Sequence, residues 1–217
     1  MYKRQVVVET PVQPRRPRPG AGAQAVVGKE AGVDLHRLSI QTFAEADVDI
    51  VVDGKIDESL WQTLPYYDNM LVSIPALVTP AEYATQIRIF ATEKGLYVSS
   101  DMEQPPDSLV KRYSRRDDFI NRDTFGVTID ASGEALVAYW FFIALGDSLS
   151  DGKVLPERRF QRDWDGPWLG KSAETDNGWS VEFFLPWSMM NMPEGDGPRT
   201  IGCLLYTSPS PRDLAQS

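Results

Sequence analysis

The chain has 217 residues, 24% of them charged, a net charge of −9, one histidine and one cysteine. So acidic a chain repels phosphate backbones and anionic membrane surfaces, which argues against nucleic acid as a partner. No apolar run reaches the ~18 residues that a membrane-spanning helix needs, and one cysteine makes no disulfide framework.

In chain order, Met1–Gln5 reads as one end of a sequencing adapter. Cys203–Ser217 begins with the in-frame translation of the same adapter read from its other side. Both ends are set aside as foreign, which makes Cys203 uninformative and implies that the natural protein continues in both directions. Residues 6–45 are rich in Pro, Gly and Ala and lack a sustained apolar period, so they read as a linker or disordered lead-in. Arg15, Arg16 and Arg18 lie there among prolines, and a weak helical patch spans Asp34–Phe43. Residues 46–202 form one domain.

From Asp49 the pattern becomes β. Ile50–Val52 predicts a short strand closed by the Asp53-Gly54 turn. Asp57 is placed to cap a short helix that carries Leu60, Trp61 and Leu64 on its apolar side and stops before Pro65. Thr85–Ala91 and Leu96–Ser100 predict a hairpin around Glu93-Lys94-Gly95. Alternation puts Phe125, Val127 and Ile129 on one face of a strand, with Thr124, Gly126 and Thr128 on the other. The run from Ala135 to Gly146 holds Tyr139, Trp140, Phe141 and Phe142, as expected of a buried strand. A last hairpin turns at Asp176-Asn177-Gly178, with Trp179, Val181, Phe183 and Leu185 sharing a face, and Trp187–Met192 reads as one or two helical turns. Several strands, short turns and little helix predict an all-β protein, an antiparallel β-sandwich with one or two short helices.

A catalytic reading fails on inventory. His36 is the only histidine and lies in the lead-in, so the domain has no base for a Ser–His–Asp or Cys–His arrangement and no zinc-type cluster. Asp117, Asp118, Asp163, Asp165 and Glu182 are the right type for a glycosidase pair, but in so acidic a chain structural roles come first. The segment Arg115–Asp123 alternates charges and leaves three readings open: ion pairs that fix a loop, a structural calcium site, or forked donors and acceptors for sugar hydroxyls. Sugar rings have an apolar face that aromatic side chains cover, while nearby polar groups meet the hydroxyl rim. Trp164-Asp165-Gly166-Pro167-Trp168 sits among Arg158, Arg159, Arg162 and Asp163, as a ligand loop or as a lid. Trp179 and Trp187 read as structural, and Trp140 depends on which face of its strand is covered.

Four segments occur in a telling order: Asp53-Gly54-Lys55-Ile56-Asp57-Glu58-Ser59-Leu60-Trp61, Gly95-Leu96-Tyr97-Val98, Asp123–Asp130, and Asn177-Gly178-Trp179-Ser180-Val181-Glu182-Phe183-Phe184-Leu185-Pro186-Trp187. Together they resemble the family 9 carbohydrate-binding modules across Asp49–Gly202. The resemblance implies a non-catalytic β-sandwich that binds a glycan. In sugar-binding members two tryptophans clamp the terminal sugar. The first clamp position is Ile120 here, with Phe119 beside it, and the second is expected downstream of this chain. The polar Glu within the third motif, often a ligand residue, is Gly126 here. The ligand-binding set expected from these readings is Trp164, Trp168, Phe119, Arg122, Asp165 and Trp140. Further segments, among them Arg115–Asp130, Asp151–Arg158 and Trp164–Trp168, are similar to a branch in which such a domain precedes a predicted outer-membrane β-barrel of Gram-negative bacteria. That branch implies the periplasm or outer membrane as location. It also implies a competing role, a domain that docks on or gates the adjoining barrel.

Overall fold

The computed structural model describes residues 2–11, 36–72, 79–134, 136–193 and 198–208. Two sheets face each other. The larger is built from β1 (Tyr2–Pro11), β2 (His36–Ser39), β4 (Leu71–Val72), β7 (Thr124–Asp130), β8 (Ala138–Ala144), β9 (Leu149–Leu155), β10 (Arg159–Gln161) and β13 (Pro198–Ser208), in the order β10-β9-β8-β7-β13-β1-β2, with β4 also on β1. The smaller has the order β11-β12-β6-β5-β3, from β3 (Gln41–Thr42), β5 (Thr85–Ala91), β6 (Gly95–Glu103), β11 (Leu169–Thr175) and β12 (Gly178–Pro186). Neighbours are antiparallel except β1–β2 and β3–β5, which are parallel.

The core follows from period-two alternation, because successive side chains of a strand point to opposite faces. Phe125, Val127 and Ile129 of β7 turn inward with Tyr139, Phe141 and Ile143 of β8, opposite Trp179, Val181, Phe183 and Leu185 of β12. Phe125 and Phe183 meet across the sandwich with ring centroids 5.8 Å apart. Both expected hairpins form: Ile89 pairs with Val98, and Ser172 with Val181.

A second apolar cluster lies outside the smaller sheet, where the one α-helix among the described residues, α1 (Ser59–Thr63), sets Trp61 and Leu64 on Phe90 and Tyr97. Phe90 and Tyr97 are stacked at 4.7 Å, and Trp61 meets Phe90 edge-on at 5.1 Å. This face also holds the buried carboxylate of Glu182. It accepts hydrogen bonds from the Asp53 and Gly54 amides, each at 2.9 Å, and from Trp61 Nε1 at 2.7 Å. Ser180 Oγ donates to the Gly54 carbonyl at 2.7 Å. Gly54 has φ of +94°, and an added Cβ would lie 2.6 Å from the Ser172 carbonyl carbon, so the Asp53-Gly54 turn demands glycine. Glu182 therefore joins the first and last family-like segments, 121 residues apart at its indole bond.

The structure corrects several local expectations. Ile50–Val52 is not a strand: the Asp53 and Gly54 amides go to Glu182, and the Val51 amide goes to Glu58 Oε1 at 2.9 Å. The helix is capped at Glu58 rather than Asp57, with no side-chain cap bond. Of the stretch expected as a lead-in, residues 12–35 lie outside the described residues, Val6–Pro11 belong to β1, β2 and β3 follow, and Ile40 enters the core. Within the weak helical patch, His36–Ser39 and Gln41–Thr42 are extended because β2 and β3 find strand partners on β1 and β5. Cys203–Ser208 completes β13, pairing with β7 and placing Cys203 and Leu205 in the core. The remainder of the two expected adapter ends, residue 1 and residues 209–217, lies outside the described residues, as do Arg15, Arg16 and Arg18.

Candidate functional site

The outer face of the larger sheet is lined by the residues of β7 and β8 that the core does not use. Trp140 and Phe142 point outward there, 5.7 Å apart, and Phe142 stacks on Tyr206 at 5.7 Å. On the other side Phe119 leans on Trp140 at 5.9 Å, which buries Trp140. The Arg162 guanidinium lies 4.1 Å from the Phe119 ring centroid, a cation–π contact on one side of that ring. Phe119 itself remains 53% exposed.

The segment that carries Phe119 is sewn to the sheet by its own polar groups. The buried Asp123 carboxylate accepts from the Val110 amide at 2.7 Å and Gln104 Nε2 at 3.0 Å. Arg122 donates to the carbonyls of Arg112 at 3.1 Å and Asp118 at 3.0 Å, and to Ser114 Oγ at 2.7 Å. Burial pushes the Arg122 guanidinium pKa downward, with the Asp118 charge acting the other way. Asp117, held at φ of +63°, donates its amide to the Leu149 carbonyl and accepts from the Asp151 amide at 3.0 Å.

Between this segment and the sheet runs a groove of about 310 Å³. It is lined by Asp118, Phe119, Ile120, Asn121 and Arg122 on one wall, and by Thr124, Phe142, Ala144, Ser148 and Ser150 on the other. Two aromatic rings and the aliphatic side chains of Ile120 and Ala144 thus share a cleft with three hydroxyls, an amide, a carboxylate and a cation, a combination suited to an amphipathic ligand. Gly126 adjoins it: an added Cβ would lie 2.4 Å from the Phe142 ring. At the position where the resemblance implies a Glu, the space is filled by phenylalanine.

The expected ligand residues divide into two places. Phe119 and Arg122 line the groove, and Trp140 backs Phe119 from beneath. Trp164, Asp165 and Trp168 lie elsewhere. Trp168 is 4% exposed, stacked on Phe183 at 5.5 Å and edge-on to Phe141 at 5.4 Å, so its ring belongs to the core. Trp164 packs on Tyr139 at 5.0 Å with the Lys153 ammonium 5.3 Å from its ring. Of the two readings of this loop, ligand loop or lid, the packing is that of a lid, and Gly166 pins it inward. Its amide donates to Asp151 Oδ2 at 2.6 Å, and its carbonyl accepts from Arg116. Phe142, Ser148 and Ser150 were missed as groove residues. The outward phase of the aromatic strand could have revealed Phe142, whereas the serines needed the β8–β9 pairing.

Of the three readings of the charged segment, ion pairing is what the side chains form. Asp117, Asp151 and Asp165 bring carboxylate oxygens within 4.8 Å of one another. Arg116 enters this cluster, with Nη2 2.5 Å from Asp151 and Nε 3.4 Å from Asp165 and 3.9 Å from Asp117. Burial raises the Asp151 pKa, while the Gly166 amide and Arg116 oppose the rise. With a guanidinium supplying the positive charge, chelation by EDTA is expected to leave Tm unchanged in a thermal melt. A fall of several degrees would show a cation held by these carboxylates instead.

No protein-family model and no curated protein sequence matches the chain. Among solved structures, one similar to it is a proposed carbohydrate-binding protein from Bacteroides uniformis. The TM-score is 0.55 at 12% identity, over 82% of this chain and 91% of that one. A family 9 carbohydrate-binding module from Caldicellulosiruptor kristjanssonii in complex with cellotriose has a TM-score of 0.45 at 9% identity, over 75% of this chain and 82% of that one. The corresponding complex with glucose gives 0.45 at 10%, over 76% and 85%. At such identities the likeness to the Bacteroides protein is one of fold, the two-sheet β-sandwich described above.

Proposed function

We propose that this β-sandwich is a non-catalytic glycan-binding module whose site is the groove under Phe119. The observation that carries the reading is that ring: half exposed, backed by Trp140, and facing a cleft that also holds Phe142 and the hydroxyls of Thr124, Ser148 and Ser150. Aromatic faces cover the C–H side of a pyranose, and hydroxyls and amides exchange hydrogen bonds with its rim. The fold shared with a proposed carbohydrate-binding protein supports the same reading. A location in the periplasm or outer membrane belongs to this proposal through the sequence resemblance alone.

The test is a titration with soluble oligosaccharides, followed by calorimetry. Phe119→Ala is expected to weaken binding by about tenfold or more, the scale of a lost ring contact in a desolvated site. Trp164→Ala is expected to leave it unchanged, because that ring lies outside the groove. Equal binding by the native chain and the Phe119 variant would remove the groove from the account.

One observation favours the competing reading, a domain that docks on an adjoining barrel. A second groove on the same sheet face, about 630 Å³, runs between Leu136, Phe160, Leu204 and Tyr206, and leaves Leu136 and Phe160 largely exposed. Exposed apolar side chains at one cleft are what an interaction surface offers. This reading gains if Leu136→Ser with Phe160→Ser improves solubility while glycan titrations stay silent.

A further inference from the structure

Arg122 is 5% exposed and lines the groove. Its three hydrogen bonds all go to uncharged oxygens, two main-chain carbonyls and the Ser114 hydroxyl. They use Nη1 twice and Nη2 once. A guanidinium has five N–H donors in a fixed fork, so Nε and one hydrogen of Nη2 have no partner among the described residues. None of the ion pairs among the described residues involves Arg122. The carboxylates nearest in sequence are otherwise placed. Asp118 is exposed and meets Arg122 through its main-chain carbonyl, and the Asp123 carboxylate takes the Val110 amide and Gln104.

A buried cation is costly where desolvation exceeds the Coulomb attraction that offsets it, and at Arg122 burial outweighs the one opposing charge, that of the exposed Asp118. The carbonyls fix the guanidinium but do not neutralise it. Asp118 is the one carboxylate among the groove's lining residues, and the other polar groups, Asn121, Thr124, Ser148 and Ser150, are neutral. Resting on the reading of this groove as a glycan site, we propose that its ligand carries an oxyanion on the sugar, a uronate carboxylate that pairs with Arg122. A planar carboxylate matches the guanidinium fork with two parallel N–H···O bonds, which a tetrahedral sulfate ester fits less well. The sugar ring then lies against Phe119 and Phe142, and its hydroxyls face the serines and Thr124. The chain's own charge of −9 opposes any anion that lacks a specific partner, so retention of an acidic sugar reports the site rather than the general field.

The experiment is calorimetric titration of the whole chain with four probes of equal length: an oligouronate, its methyl ester, a neutral oligosaccharide and a sulfated one. The oligouronate is expected to bind at least about tenfold more tightly than its methyl ester, the scale of a charge-assisted hydrogen bond. Added salt should narrow that difference, and Arg122→Gln should abolish it. Equal affinity for acid, ester and neutral sugar overturns the anion assignment and leaves the glycan site standing. Tightest binding of the sulfated probe overturns the carboxylate in favour of a sulfate ester. Silence with all four overturns the glycan reading as well. If Arg122→Gln fails to fold, the acid and ester pair on the native chain still decides.

Discussion

Glu182→Ala is expected to lower the stability of the fold by about 4 kcal/mol, since it leaves buried donors unpaired and removes a carboxylate that joins distant segments. For a domain of this size that corresponds to a Tm lower by roughly 8–16 °C. Three donors lose their acceptor at once: the Asp53 and Gly54 amides and Trp61 Nε1. The loss spreads, because these contacts hold the Asp53-Gly54 turn and the α1 helix against the smaller sheet. Urea denaturation followed by far-UV circular dichroism measures it, and a loss under about 1 kcal/mol would show the turn held by other contacts.

The same carboxyl gives the fold a pH dependence of known sign. Burial lifts its pKa from 4.5 to about 7, while the three N–H donors pull it down. A folded value above the unfolded one means that folding favours the protonated form. The resulting stability is fully present below the unfolded value of 4.5 and is lost as pH rises through about 7. The native chain should therefore lose stability relative to Glu182→Gln, which cannot titrate, as pH rises from about 4.5 to about 7.5. A constant difference across that window would contradict the shift.

Trp168→Ala is the second large effect, expected to cost about 3–5 kcal/mol through the cavity it leaves in the core. Its ring lies parallel to Phe183, with 6° between planes, and touches Phe141 edge-on. Its Nε1 is buried with no hydrogen-bond partner among the described residues, so Trp168→Phe should cost much less than the alanine change. Phe119→Ala, at an exposed ring, should stay within about 1 kcal/mol of the native stability. Chemical denaturation of the three variants orders them. If Trp168→Ala proved near neutral in stability but abolished glycan binding, the ring would belong to a ligand and not to the core.

How far the sequence could be read depended on whether a feature was local. Alternation at Phe125–Ile129 and Trp179–Leu185, and the turns at Lys94 and Asn177, gave faces and hairpins, because each is fixed by neighbours in the chain. Trp61 was legible as a plug between helix and sheet for the same reason. Features that need a partner far along the chain were not. Ile50–Val52 looked like a strand, but its neighbouring amides serve Glu182. Asp34–Phe43 looked weakly helical, but its His36–Ser39 and Gln41–Thr42 find strand partners on β1 and β5. The loop Trp164–Trp168 could be read from its composition either as a ligand loop or as a lid. The choice needed distant partners, because Asp151 and Arg116 hold Gly166 and the indoles pack on the domain. Of the groove's lining residues, Phe119 and Arg122 had been singled out from the charged segment and the resemblance. The opposite wall, Phe142 with Ser148 and Ser150, depends on the β7–β8–β9 order.

The most direct test of the groove as the binding site is a map of amide chemical shifts by NMR, with a soluble oligosaccharide titrated into the native chain. The account predicts saturable shifts concentrated at residues 118–124, 142–144 and 148–150, with Trp168 and Trp179 unmoved. Shifts centred on Trp164 or on Leu136 and Phe160, or no shift with any sugar, would contradict it.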